Sequence, residues 1–136
     1  MATILVIDDE EPIRIIVKRL LERAGHKVFV AKDGRVGLEM FRDIAVDLVL
    51  TDILMPETDG IELIMKLRSE KPGVKIIAMS GGGRTGEMDF LSLAVSYGAS
   101  RTLSKPLTNE QLLDAVEETL QADHSPPPDS KTDSEV

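Results

Sequence analysis

The apolar run Leu48-Val49-Leu50 passes through Thr51 to Asp52 and resumes at Ile53-Leu54-Met55, so a carboxylate interrupts a stretch that reads as core. An unpaired charge buried there would be costly. Asp8 and Asp9 close the run Ile4-Leu5-Val6-Ile7, Ser80 follows Ile76-Ile77-Ala78-Met79, and Ser104-Lys105-Pro106 follows Leu103. If the fold gathers these positions, Asp8, Asp9 and Asp52 need a cation, because two carboxylates about 5 Å apart repel by roughly 3 kcal/mol at an effective dielectric near 20. A hard divalent ion held by oxygen ligands, with several waters retained, describes Mg²⁺. A carboxylate beside Mg²⁺, with a lysine across from it, can act as a nucleophile on a phosphoryl group. In that chemistry Lys105 would neutralise the incoming phosphoryl oxygens and Ser80 would donate a hydrogen bond to one of them.

The elements that must position these residues alternate. Short apolar runs over 3–7, 27–31, 46–51, 74–79 and 99–103 read as strands, and the first, third and fourth are apolar almost throughout, as in parallel strands covered on both faces. Helical patterns fall between and after them. Ile13, Ile16, Val17, Leu20, Leu21 and Ala24 form an i, i+3, i+4, i+7 stripe, with Pro12 in the first turn and Gly25 as the stop. Further helices fit 34–44, 60–71 with Asp59 and Glu62 spaced as a capping pair, 87–97 stopped by Gly98, and 109–121. In the last of these, Thr108 and Gln111 match a capping box, and Leu112, Leu113, Val116 and Leu120 make the buried stripe. Five β/α units of this length predict an α/β fold, a doubly wound, flavodoxin-like five-stranded parallel sheet in the order 2-1-3-4-5 with five helices. Ligands of such sheets bind at the carboxyl ends of the strands, where four of the five runs deliver a charged or hydroxyl group. One of Asp8 and Asp9 alone would read as a helix N-cap.

A chain of 136 residues suits one domain. Residues 1–122 are expected to form it, and 123–136, with three consecutive prolines and almost nothing apolar, read as a disordered acidic tail or linker. The net charge of −8 argues against direct nucleic-acid binding through phosphate contacts. Without cysteine there is no thiolate nucleophile or thiolate metal site. No apolar run approaches the roughly 18–20 residues that span a membrane, and the cytoplasm is the default expectation. Arg14, Lys18, Arg19 and Arg23 make a basic stripe on the first helix, which reads either as a solvated face with Glu22 as local partner or, with 106–108, as a docking face for a protein partner.

The motifs VIDDE (6–10), DILMPETDG (52–60), MSGGG (79–83) and Lys105-Pro106 together resemble the receiver domain of two-component response regulators, over about residues 2–121 and closest in plan to a stand-alone chemotaxis regulator. The resemblance implies that Asp52 is the phosphoacceptor, that Asp9 ligates Mg²⁺ directly and Asp8 through water, and that the Leu54 backbone carbonyl completes the protein ligands. It further implies that Ser80 is the switch hydroxyl, that Lys105 is the site lysine, and that the bond to Pro106 is cis. The donor would be a histidine kinase or a histidine phosphotransfer protein. The downstream protein target would meet the surface of the fourth helix, fifth strand and fifth helix. The protein would then not be an enzyme acting on a separate substrate, but would catalyse its own phosphoryl transfer and dephosphorylation. Two positions depart from the pattern: Thr102 stands where the family's switch aromatic is found, and Leu54 replaces a residue that is often polar. With no ring at 102, the glycine-rich stretch 81–90 is expected to carry the conformational response. Two rivals share parts of this logic, an Mg²⁺-dependent aspartyl phosphohydrolase and a pseudo-receiver that binds partners without phosphorylation. The first needs a second acid at Leu54, and the complete Asp8, Asp9, Asp52, Ser80 and Lys105 set argues against the second. The run GGGRTG (81–86) satisfies a dinucleotide fingerprint, but it follows the fourth strand and lacks the acid about 20 residues on.

Overall fold

The computed structural model describes residues 1–55, 58–81, 94–105 and 107–122. Alternating apolar runs and amphipathic stripes become β1 (Thr3–Ile7), α1 (Glu11–Arg23), β2 (Lys27–Ala31), α2 (Gly34–Asp43), β3 (Leu48–Asp52), α3 (Gly60–Glu70), β4 (Lys75–Gly81), β5 (Arg101–Lys105) and a C-terminal helix (Asn109–Gln121). The five strands pair in parallel in the order β2-β1-β3-β4-β5, as expected. Between β3 and α3, a two-residue antiparallel ladder pairs Leu54 with Asp59 and Met55 with Thr58.

The period-2 geometry of strands explains why the central runs are apolar throughout. Leu5, Ile7, Val49, Ile76 and Ala78 face one side and pack with Phe41 of α2 and Leu63, Ile64 and Leu67 of α3. Ile4, Val6, Leu48, Leu50, Ile77 and Met79 face the other and pack with Val17 and Leu21 of α1 and with Leu112 and Val116 of the C-terminal helix. Full burial of one such aliphatic side chain contributes about 1.5–3 kcal/mol. Two of the expected turn devices form as read. Gly25, at φ 98°, follows α1 in the left-handed region that favours glycine. Thr108 accepts from the Gln111 N–H while the Gln111 side chain accepts from the Thr108 N–H. Asp59 caps α3 by accepting from Ile61 and Glu62, but Glu62 turns to Lys66 rather than back to the cap.

Three expectations are corrected. β3, β4 and β5 begin and end later than 46–51, 74–79 and 99–103, so Asp52, Ser80 and Lys105 lie within their strands. Backbone pairing of Asp52 with Met79, Ser80 with Ser104 and Gly81 with Lys105 continues regardless of the polar side chains. Ile16, assigned to the buried stripe of α1, is 56% exposed, because Val17 and Leu21 occupy the contact with the sheet. Leu113 and Leu120 are half-buried, while Ala115 and Thr119 complete the buried face of the C-terminal helix. The helix expected over 87–97 lies mostly outside the described residues, which include its helical end at 94–96. The loop 82–86, Pro106 and the tail 123–136 also lie outside them.

Candidate functional site

The strand order places Asp8 just past β1, Asp52 at the end of β3, Ser80 near the end of β4 and Lys105 at the end of β5, on consecutive strands and at one edge. The opposite edge carries structural contacts instead: Asp47 accepts from the Thr3 N–H, and Arg68 ties α3 to the carbonyls of Pro72 and Val74. Neighbouring strands lie about 4.8 Å apart, so β5 stands two spacings from β3 and three from β1. A lysine has the reach to cross that gap. The Lys105 Nζ donates to Asp8 Oδ2 and to Asp52 Oδ2, each at 3.1 Å.

Asp8 is fully buried, and both of its oxygens are engaged, Oδ2 by Lys105 and Oδ1 by the Glu10 N–H at 2.9 Å. The helix-cap alternative fails on this geometry. Glu10 occupies the N-cap position of α1 with no side-chain cap bond, so neither Asp8 nor Asp9 caps that helix. Asp9 is exposed, and its carboxylate joins those of Asp8 and Asp52 with ligand oxygens all within 4.8 Å of one another. Burial alone would lower the pKa of the Lys105 ammonium, but the charges of Asp52 and Asp8 and their hydrogen bonds outweigh it and raise the pKa above its ordinary value. Three carboxylates against one ammonium leave a net charge of −2, matched by a divalent ion bound to oxygen donors.

Ser80 is fully buried, and its Oγ has no hydrogen-bond partner among the described residues. A buried hydroxyl without a partner loses roughly 1–3 kcal/mol, so its retention needs a reason. An incoming oxyanion at the strand edge supplies one. The arrangement therefore offers a carboxylate nucleophile, an ammonium and a hydroxyl donor for phosphoryl oxygens, and an acidic set able to hold a metal. A family model for the response regulator receiver domain matches residues 4–117.

The chain belongs to that family. Sporulation initiation phosphotransferase F of Bacillus subtilis is 30% identical over 117 residues, covering 86% of this chain and 92% of that protein. The DNA-binding transcriptional regulator NtrC of Azospirillum brasilense is 32% identical over 125 residues, covering 92% of this chain. The chain spans 25% of the length of that relative. A solved response regulator receiver domain protein from Clostridium thermocellum superposes with a TM-score of 0.81 at 34% identity, covering 88% of this chain and 94% of that one. Among the described residues, no helix of this receiver domain is long and apolar enough to cross a membrane.

The receiver site thus unites Asp8, Asp9, Asp52, Ser80 and Lys105 at the edge expected from the sequence. Leu54 follows within the short ladder. Thr102 is half-buried on β5, opposite Ala78. Two features were missed. Arg14, read as an outward member of the basic stripe, is half-buried and donates to the Asp8 carbonyl at 2.6 Å. Its position one turn into α1, six residues after Asp8, was the available signal. The second is an apolar groove of about 600 Å³ between α1 and the C-terminal helix, lined by Ile13, Ile16, Leu20, Leu107 and Leu112 and reaching Lys105. The stripe of α1 holds more apolar residues than the sheet covers, and Ile16, left exposed on it, was the hint.

Proposed function

We propose that this receiver domain accepts a phosphoryl group on Asp52 from a phosphohistidine of a histidine kinase or histidine phosphotransfer protein, in an Mg²⁺-dependent reaction that switches its binding to a downstream protein. The observation that carries this reading is the Ser80 hydroxyl, buried on the strand beside Asp52 and without a hydrogen-bond partner among the described residues. Asp9, Asp52, Asp8 through water and the Leu54 carbonyl would hold the ion. When bound, Mg²⁺ offsets charge on the phosphoryl oxygens and on the acids. An Asp52 carboxylate oxygen attacks phosphorus and forms an acyl phosphate. The P–N bond to the donor imidazole breaks, its electron pair stays on that nitrogen, and the nitrogen takes a proton from solvent. Lys105 shifts its ammonium toward the phosphoryl oxygens, and Ser80 donates to one of them. Hydrolysis of the acyl phosphate at the same site resets the switch. The protein acts on itself and turns over no separate substrate, and the cytoplasm, where kinases make phosphohistidine from ATP, is its compartment.

The donor partner is a helical protein whose apolar ridge enters the groove between α1 and the C-terminal helix, with acidic flanks meeting the exposed Arg19 and Arg23. The groove reaches Lys105, where the phosphoryl group must arrive. Intact mass after exposure to a small phosphodonor, with and without Mg²⁺, tests the chemistry. A phosphoryl mass gain that needs Mg²⁺ and disappears in Asp52→Asn is expected. A gain that survives in Asp52→Asn overturns the assignment.

A further inference from the structure

α3 begins at Gly60, a poor helix former in a position that carries no left-handed backbone requirement: among the described residues, only Gly25 and Gly98 have positive φ. Space is the reason for it. A Cβ built on Gly60 would lie 2.3 Å from the Ile53 carbonyl oxygen, 2.6 Å from its Cα and 2.8 Å from its carbonyl carbon. All three atoms are backbone, so no side-chain rotation relieves the contact.

Ile53 is the residue between Asp52 and Leu54, and its backbone is held from two directions. Its N–H donates to the Met79 carbonyl of β4 at 2.8 Å, and its carbonyl end rests on Gly60. The ladder pairs Leu54 with Asp59, the residues next in sequence to that contact. We infer that Gly60 is a positioning residue of the phosphorylation site: the start of α3, seated against the Ile53 backbone, fixes where the Leu54 carbonyl stands relative to Asp52. The inference rests on the Mg²⁺ reading above, which makes that carbonyl a ligand. A methyl at position 60 separates α3 from Ile53 and moves the Leu54 peptide, while Asp8 and Asp9, on a different loop, keep their places.

The test is calorimetric titration of the full chain with Mg²⁺ alone, beside thermal unfolding of each variant. Gly60→Ala is expected to bind Mg²⁺ about tenfold more weakly, the scale on which displaced supports of a metal ligand act. Val116→Ala, truncated in the core on the opposite face of the sheet, is the control for general destabilisation, and its Kd should stay within about twofold of wild type despite a lower Tm. Wild-type affinity in a folded Gly60→Ala overturns the inference and leaves the metal reading standing. An absence of Mg²⁺ binding by the wild type overturns both. If Gly60→Ala does not fold, Asp59→Ala and Asp59→Asn take its place. Both remove the same charge, but asparagine retains the oxygen that caps Ile61 and Glu62. A Kd about threefold weaker for the alanine variant than for the asparagine variant supports the inference, and equal Kd values overturn it.

Discussion

Replacing Asp9 with Asn should change stability in opposite directions with and without Mg²⁺. The oxygens of Asp8, Asp9 and Asp52 lie within 4.8 Å of one another, and Lys105 bonds to Asp8 and Asp52. At that separation a pair of carboxylates repels by about 3.5 kcal/mol at an effective dielectric of 20, and by about 0.9 kcal/mol at that of water. Asp9 is exposed, so the lower figure governs, and the ammonium cancels part of the repulsion from its two neighbours. Relief of about 1 kcal/mol remains, which raises Tm by about 4 °C for a domain of this size. Saturation at about 100 times Kd adds roughly 2.7 kcal/mol to a protein that binds the ion only when folded. The wild type receives that gain, and the variant, short of one ligand and one charge, receives little of it. Circular dichroism melts in EDTA should therefore rank Asp9→Asn above wild type, and melts in Mg²⁺ should reverse the order. An Asp9→Asn protein less stable than wild type in EDTA, or an equal gain for both in Mg²⁺, refutes the reasoning.

Lys105→Met strips the fully buried Asp8 of its ion-pair partner and should cost about 3 kcal/mol in EDTA, with part of the loss restored by Mg²⁺. The Lys105 pKa is raised above its ordinary 10.5, so its stabilisation is complete below that pH and vanishes as pH climbs through the folded-state value; alkaline melts should show the gap between wild type and Lys105→Met closing only above about pH 10.5. Thr108→Ala removes one arm of the capping box and should cost about 1 kcal/mol in urea unfolding without changing the rate of reaction with a small phosphodonor. Charge reversal at Arg19 and Arg23 should slow phosphoryl transfer from the histidine partner and leave the small phosphodonor unaffected, and equal slowing of both would sink the docking face. Arg14 is unsuitable for that test because its guanidinium holds the Asp8 carbonyl.

The strand order and the gathered acids were legible because they rest on period and topology: apolar runs at matching spacing, with Asp52, Ser80 and Lys105 at their ends. Strand ends were placed too early for a related reason. A polar side chain stops an apolar pattern but not a ladder of backbone hydrogen bonds, and β3 to β5 continue through their functional residues. Ile16 illustrates the limit of a stripe, which reports a helix face but not how much of it the sheet covers. Arg14 and Gly60 were harder still. Each acts through backbone atoms, the Asp8 carbonyl and the Ile53 peptide, and hydrophobic periodicity carries no information about where a carbonyl points.

The reach of Lys105 ties this chemistry to the order in which the chain is completed. Asp8 and Lys105 are 97 residues apart, so the contact closes nearly the longest loop in the domain, and such closures are late and slow events in folding. β5 lies at the edge of the sheet, bonded to β4 alone among the described residues, and is half-exposed along its length. Edge elements with few buried contacts open at lower free energy than the centre of a sheet. Fraying of β5 withdraws the ammonium while β1 and β3, paired in the interior, still present their acids. A nascent chain that has not yet added its fifth strand, or a mature one that has transiently lost it, therefore holds the Asp52 carboxylate without the Lys105 ammonium that pairs with it. On the proposed reading, competence to accept the phosphoryl group reports that the whole domain has assembled.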